Sequence, residues 1–149
     1  MGNFARLNKA QNDILNYLLV DGKPDYQLAG FQVRATERIL QYYTRHSRKA
    51  YSPTATIVCA GTGSGKTLAF YLPAMTQLAH DLINNSRRRV KILAIYPRNE
   101  LLKDQFSETY EQARLLDNYL ASRGTRKIKI GTFLEIPSVT IRYGTLRRL

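Results

Sequence analysis

Apolar residues recur at every third or fourth position in four stretches of the chain, a spacing that predicts amphipathic helices. These stretches are residues 8–20, 31–46, 65–84 and 99–122. Turn-forming residues at 21–25 end the first helix, and Gly124 follows the fourth as a stop signal. Pro73 lies inside the third and is expected to kink or restart it, because proline has no N–H to donate.

Three shorter stretches are rich in β-branched and apolar residues and predict buried strands. They are residues 54–60, 90–96 and 126–133, and they alternate with the last two predicted helices. Strands and helices that alternate with short connections are typical of a parallel sheet flanked by helices. The pattern therefore predicts an α/β domain over residues 28–149, preceded by a helical N-terminal extension at residues 1–27.

The chain has 149 residues, about one domain, and it is strongly basic. Its 23 Lys and Arg against 11 Asp and Glu give a net charge of +12, which favours a polyanionic partner, either nucleic acid or an acidic membrane surface. No apolar run approaches the roughly 20 residues of a membrane span, and residues 1–6 lack the layout of a signal peptide. We therefore expect a cytoplasmic protein with no membrane partner. The single cysteine, Cys59, excludes an internal disulfide and is expected to be buried.

The most specific motif is a glycine-rich loop between the first predicted strand and the third predicted helix. It reads Ala60-Gly61-Thr62-Gly63-Ser64-Gly65-Lys66-Thr67. Alternating glycines let the backbone fold around a phosphate and expose several N–H groups to it, and the following helix directs its N-terminal dipole at the same anion. Lys66 is predicted to reach the β- and γ-phosphates of a nucleoside triphosphate, and the Thr67 hydroxyl to coordinate Mg²⁺. The alternative is a glycine-rich turn that binds nothing.

Three stretches together resemble the superfamily 2 helicases of the DEAD-box and DExH type. The loop at residues 60–67 has the helicase form of the phosphate loop and continues as Leu-Ala-Phe-Tyr-Leu-Pro. Residues 96–105, Tyr-Pro-Arg-Asn-Glu-Leu-Leu-Lys-Asp-Gln, resemble the motif that follows the second strand in these enzymes. Phe31-Gln32 is similar to their glutamine motif. The resemblance implies a RecA-like phosphate-loop fold and an ATP-driven motor.

The resemblance also implies roles for particular residues. The nucleotide would be held by Gln32 and by residues 60–67, with the Gln32 amide pairing with adenine; the alternative is an ordinary surface glutamine. The backbone of single-stranded DNA or RNA would be bound by Pro97, Arg98, Asn99 and Gln105. Arg98 stands where the family usually has Thr, and a guanidinium binds a phosphate at least as well as a hydroxyl does.

The acidic pair that a helicase needs to hold Mg²⁺ and activate water is not visible in this sequence. After Asp117 the only acidic residue is Glu135, which stands alone before Ile136-Pro137. We therefore expect residues 28–149 to be an incomplete RecA-like domain that ends before the acidic motif, with the second RecA-like lobe beyond Leu149. On this interpretation the isolated chain binds ATP weakly and does not hydrolyse it.

Basic residues outside these motifs form clusters, of which residues 123–148 hold the largest. Three interpretations of the whole remain open. The first is the ATP-binding part of a nucleic-acid helicase or translocase, and the second is a phosphate-loop enzyme of another class, such as a small-molecule kinase. The third is a non-catalytic basic nucleic-acid-binding module with a relic nucleotide site.

Overall fold

The computed structural model describes residues 4, 6–20, 27–46, 55–85 and 87–133. Five helices lie in this part of the chain: α1 (Lys9–Val20), α2 (Gly30–His46), α3 (Lys66–Asn84), α4 (Asn99–Leu115) and α5 (Asp117–Ser122). The four helices predicted from hydrophobic spacing are confirmed, except that the last is two helices. The break falls at the buried Leu116, whose N–H donates to the carbonyl of Ala113, three residues back, at 3.3 Å.

The first helix begins with a pair of reciprocal side-chain caps. The Gln11 N–H donates to Asn8 Oδ1 at 2.8 Å, and the Asn8 N–H donates to Gln11 Oε1 at 3.3 Å. Each side chain thus satisfies a backbone N–H that the first turn of a helix leaves without a partner. This cap places α1 so that Ile14 and Leu15 are fully buried.

The core of the described residues lies around α3, which packs against α1, α2 and α4. Most of its apolar side chains face inward together with those of its neighbours, whereas Phe70 is exposed. The buried apolar residues include Ile14, Leu15, Leu40, Leu72, Met75, Ala79, Leu116 and Leu120. α3 runs through Pro73 as one helix, so the chain does not restart there as the alternative prediction had it. The proline ring is fully buried in this core, and that burial offsets the hydrogen bond lost at its nitrogen.

The described residues contain no β-strand, so the predicted parallel sheet is not found there. The segments 55–60, 90–96 and 126–133 run as chain without ladder pairing, and several of their apolar side chains are exposed: Ile57, Val90, Leu93, Ile95 and Phe133. A strand exists only when its N–H and C=O groups pair with another strand. A sequence pattern indicates that a segment favours extended backbone. It does not show that a second strand lies beside that segment to pair with it. The prediction that Cys59 is buried is wrong for the same reason, because it lies in the first of these segments and is exposed.

The segment after α5 is fastened to the helices by polar contacts. Gly124 turns the chain with a left-handed φ of +66°, and the Thr125 hydroxyl then donates to the Leu82 carbonyl at the end of α3, at 3.0 Å. Lys127 pairs with Asp117 at 3.0 Å, and Ile128 enters the core. None of the described helices is long and apolar enough to cross a membrane.

Candidate nucleotide site

The glycine-rich loop folds back on itself immediately before α3. Gly63 and Gly65 have φ values of +70° and +77°, in the left-handed region that other residues rarely enter. The Ser64 hydroxyl donates to the Gly61 carbonyl at 2.6 Å and closes the turn between them. Two of the three loop glycines therefore stand where the backbone conformation favours glycine.

The Lys66 side chain lies against the inside of this loop. Its Nζ donates to the carbonyl oxygens of Ala60, at 2.8 Å, and Gly61, at 2.5 Å. A lysine ammonium has three N–H donors, and the loop carbonyls accept two of them. The positive charge of Lys66 is thus held beside the first two residues of the loop.

The first turn of α3 has no side-chain cap. Gly65 is its N-cap and has no side chain to cap the first turn, and no acidic residue lies in that turn. Its first N–H groups consequently have no side-chain competitor for an anionic oxygen. Thr67, the proposed Mg²⁺ ligand, is half-buried in this same turn.

Gln32 connects α2 to the phosphate loop. Its Oε1 accepts the N–H of Ala29 at 2.8 Å, and its Nε2 donates to the Gly65 carbonyl at 2.9 Å. The residue is only 4 % exposed, so the alternative of an ordinary surface glutamine is excluded. The sequence indicated that Gln32 was important, but its contact with Gly65, 33 positions away, has no sequence signal.

Gly65 is required by both its conformation and its neighbour. A Cβ built at this position would lie 2.7 Å from Gln32 Nε2, closer than real Cβ contacts come. Any other residue would therefore strain the backbone and displace the amide that holds the loop.

The segment predicted to bind nucleic acid presents three exposed residues, Pro97, Arg98 and Asn99, at the start of α4. Arg98 is the N-cap of this helix, and its carbonyl accepts the N–H of Leu102 at 3.1 Å. Gln105 does not join this exposed group. It is half-buried one and a half turns further on, and its Nε2 donates to Glu108 at 3.5 Å.

A pair of tyrosines joins the two candidate segments. The hydroxyl of Tyr71, in the second turn of α3, is hydrogen-bonded to the hydroxyl of Tyr96, immediately before Pro97. Burial and this hydrogen bond raise the pKa of Tyr96 well above its ordinary value, so the hydroxyl stays protonated. The contact between these two tyrosines has no sequence signal, since no spacing rule relates positions 71 and 96.

Several basic side chains of the predicted clusters serve structural contacts. Arg126 donates to the Arg87 carbonyl at 3.0 Å, Lys127 pairs with Asp117, and Arg123 lies over the ring of Tyr119. The side chains of Arg87, Arg88, Arg89 and Lys129 are exposed. Arg48, Lys49, Glu135, Arg142, Arg147, Arg148 and the side chain of Arg45 lie outside the described residues. Within the described ranges no group of three or more His, Cys, Asp or Glu could hold a metal ion.

A family model described as DEAD/DEAH box helicase matches residues 37–149, which include the phosphate loop and the segment at residues 96–105. The chain belongs to the DEAD/DEAH box helicase family. Membership implies a RecA-like fold, of which the described residues show the helices and no strand. Gln32 precedes the matched span, so its expected role depends on the resemblance of Phe31-Gln32 to the glutamine motif and on its contact with Gly65. No curated protein and no solved structure gave a match.

Replacing Gly65 by Ala is expected to destabilise the protein. The left-handed φ alone costs about 1–2 kcal/mol for a residue with a Cβ, and the contact with Gln32 adds to it. Urea unfolding followed by circular dichroism measures the change. Gly61→Ala is the matched control, because nothing lies within 4 Å of its Cβ position. Equal effects of the two substitutions would contradict the proposed strain at Gly65.

The tyrosine pair predicts a pH dependence of stability. The folded-state pKa of Tyr96 is raised above the unfolded-state value of about 10, so its contribution to stability is present below that pH and is lost above it. The free energy of unfolding of the parent chain, minus that of Tyr96→Phe, should hold steady from pH 7 to about 9 and fall beyond about 10. Tyr43→Phe, in which a half-exposed hydroxyl is removed, is the control. A difference for Tyr96→Phe that does not change with pH would argue against the buried pair.

Proposed function

We propose that this chain is the ATP-binding part of an ATP-dependent nucleic-acid helicase or translocase. The observation that carries the proposal is the Lys66 ammonium, held by two carbonyls of a loop in which Gly63 and Gly65 adopt left-handed backbone. In a member of the DEAD/DEAH box helicase family, that arrangement suits the β- and γ-phosphates of ATP. The uncapped first turn of α3 adds N–H donors for the same phosphates.

Gln32 is proposed to recognise adenine. A carboxamide has two donor hydrogens and two acceptor lone pairs, and the structure gives one partner to each side of it, Ala29 and Gly65. One donor and one acceptor thus remain for N7 and N6 of adenine. Because the same amide holds Gly65, base recognition and the shape of the phosphate loop would depend on one side chain.

The segment at residues 96–105 is proposed to bind the sugar–phosphate backbone of DNA or RNA. Pro97, Arg98 and Asn99 are exposed together, and α4 has no side-chain cap at its N-terminus. An exposed guanidinium beside uncapped N–H groups suits a phosphate oxygen. The Tyr71–Tyr96 hydrogen bond ties this segment to α3, so movement of the phosphate loop would be transmitted to it.

Hydrolysis is proposed to require acidic residues that these 149 positions do not supply. Thr67 offers Mg²⁺ one hydroxyl, and the described residues contain no carboxylate cluster near it. The competing proposal is a basic nucleic-acid-binding module whose nucleotide site is a relic, which the net charge of +12 also permits. The two differ in whether Lys66 contributes to ATP affinity.

Lys66→Ala is expected to weaken binding of a fluorescent ATP analogue with Mg²⁺ by about tenfold or more, because hydrogen bonds to a charged group are lost. The exposed Lys9→Ala, which removes the same charge from the start of α1, should bind as the parent does. Unchanged affinity in Lys66→Ala would favour the relic site. Phosphate release that depends on Lys66 in the isolated chain would contradict the absence of turnover.

Arg98→Ala is expected to weaken binding of a labelled single-stranded oligonucleotide and to make it less sensitive to salt. The loss of one phosphate contact lowers the slope of log affinity against log salt by about 0.7 for a single strand. Fluorescence anisotropy at several salt concentrations measures both. Arg88→Ala, an exposed arginine ten positions before Arg98 and outside the motif, is the charge-matched control. The same slope in Arg98→Ala and the parent would remove Arg98 from the proposed interface.

A further inference from the structure

A cavity of about 290 Å³ lies between the N-terminal segment and α2, away from the sites described above. Its lining consists of Arg6, Arg34, Glu37, Arg38 and Gln41, and we name it the arginine cavity. All five side chains are polar, so the cavity does not suit an apolar ligand. Three guanidinium groups and one carboxylate leave it with an excess of two positive charges.

The arginine cavity lies on the side of α2 that does not contact the phosphate loop. Gln32, Thr36 and Leu40 follow each other at four-residue spacing and are buried. Arg34 and Arg38 have the same spacing but start two positions later, which rotates them about 200° around a helix of 3.6 residues per turn. Both are exposed, as is Arg6. A ligand in the cavity would therefore be distinct from one held by Lys66.

The three arginines have no carboxylate partner in the described part of the chain. The ion pairs found there within 4 Å involve Asp81 and Asp117, and none includes a residue of the cavity. Even Glu37, which lines the same space, forms no such pair. Gly30 leaves room for Arg34, whose Nη1 lies 3.2 Å from the position that a Cβ would take. Like charges gathered around one cavity without an ion-paired acid are stabilised by an external anion.

We propose that the arginine cavity binds a phosphate group of a nucleic-acid backbone. Guanidinium groups bind phosphate oxygens through paired N–H donors, and three of them around one cavity match that chemistry. The inference rests on the proposed function in one respect, namely that nucleic acid is the partner. It does not depend on ATP binding.

The test measures binding of a fluorescently labelled single-stranded oligonucleotide of mixed sequence to the full chain without nucleotide. The double variant Arg34→Ala with Arg38→Ala should bind about tenfold more weakly at low salt, with a slope against log salt smaller by about 0.7 for each phosphate lost. Arg88→Ala with Arg89→Ala removes the same charge from an exposed segment outside the cavity and should have less effect on both quantities. Equal losses in the two double variants would overturn the proposal, because net charge alone would then explain them.

Weaker binding by a variant can also result from misfolding, so a variant that is expected to bind more tightly is a stronger test. Glu37→Gln removes the only carboxylate of the cavity and should tighten binding of the same oligonucleotide by roughly threefold, since a nearby charge at a partly exposed site is worth up to about 1 kcal/mol. Unchanged or weaker binding by Glu37→Gln would count against the cavity. Circular dichroism of each variant confirms that the helices are retained.

Competition distinguishes the sources of phosphate. If the site takes a backbone phosphate, unlabelled oligonucleotide should displace the probe from the parent chain at far lower phosphate concentration than inorganic phosphate does. Equal potency per phosphate would overturn the nucleic-acid assignment in favour of a free-phosphate site. A third outcome concerns membranes. If Arg34→Ala with Arg38→Ala weakens binding to phosphatidylserine vesicles but leaves oligonucleotide binding unchanged, the nucleic-acid assignment is overturned in favour of a membrane surface.

The same binding measurements distinguish failure of the arginine cavity from failure of the proposed function. If the parent chain binds no oligonucleotide, both the cavity and the segment at residues 96–105 lose their proposed partner. If the parent and Arg34→Ala with Arg38→Ala bind equally while Arg98→Ala binds weakly, only the arginine cavity fails. ATP affinity of the cavity variants should match that of the parent in every case.

Discussion

The structure depends on the burial of one helix. α3 lies against α1, α2 and α4, and its buried face is the largest continuous part of the core. Burying apolar surface is the dominant favourable term in folding, so these contacts fix α3 relative to its neighbours. The phosphate loop precedes its first residue, Tyr71 holds the segment before α4, and Leu82 accepts the Thr125 hydroxyl near its end. The phosphate loop and the segment at residues 96–105 are thus positioned by the same helix.

A single carboxamide adds to this packing what apolar contacts do not provide. Packing sets the distance between α2 and α3, but it does not choose a conformation for a glycine loop. The Gln32 bond to the Gly65 carbonyl does so, because it requires one orientation of that peptide group. Hydrogen bonds inside a buried site are strong and directional, and leaving either partner unpaired is costly. The conformation of the loop at Gly65 therefore depends on a residue in another helix, α2.

Charge is divided between structural and exposed roles. Asp117 is paired with Arg114 and Lys127, and Asp81 lies 3.8 Å from the ammonium of Lys91. These acids fasten the chain after α5 and the chain after α3. The arginines of the arginine cavity, Arg88 and Arg98 have no such partner in the described part of the chain, and they add to the positive charge of the surface. A net charge of +12 is consequently a property of the surface more than of the core.

The sequence by itself determined the helices, the phosphate loop and the family. Hydrophobic spacing is a local property, and the glycines, Lys66 and Thr67 carry their chemistry within eight positions. Tertiary structure alone decided which residues meet: Gln32 with Gly65, Tyr71 with Tyr96, and Arg6 with the outer face of α2. It also decided that the described segments rich in β-branched residues stay unpaired and that Cys59 is exposed. The physical reason is the same in each case, because contact between distant positions depends on how whole elements pack, and no local pattern encodes it.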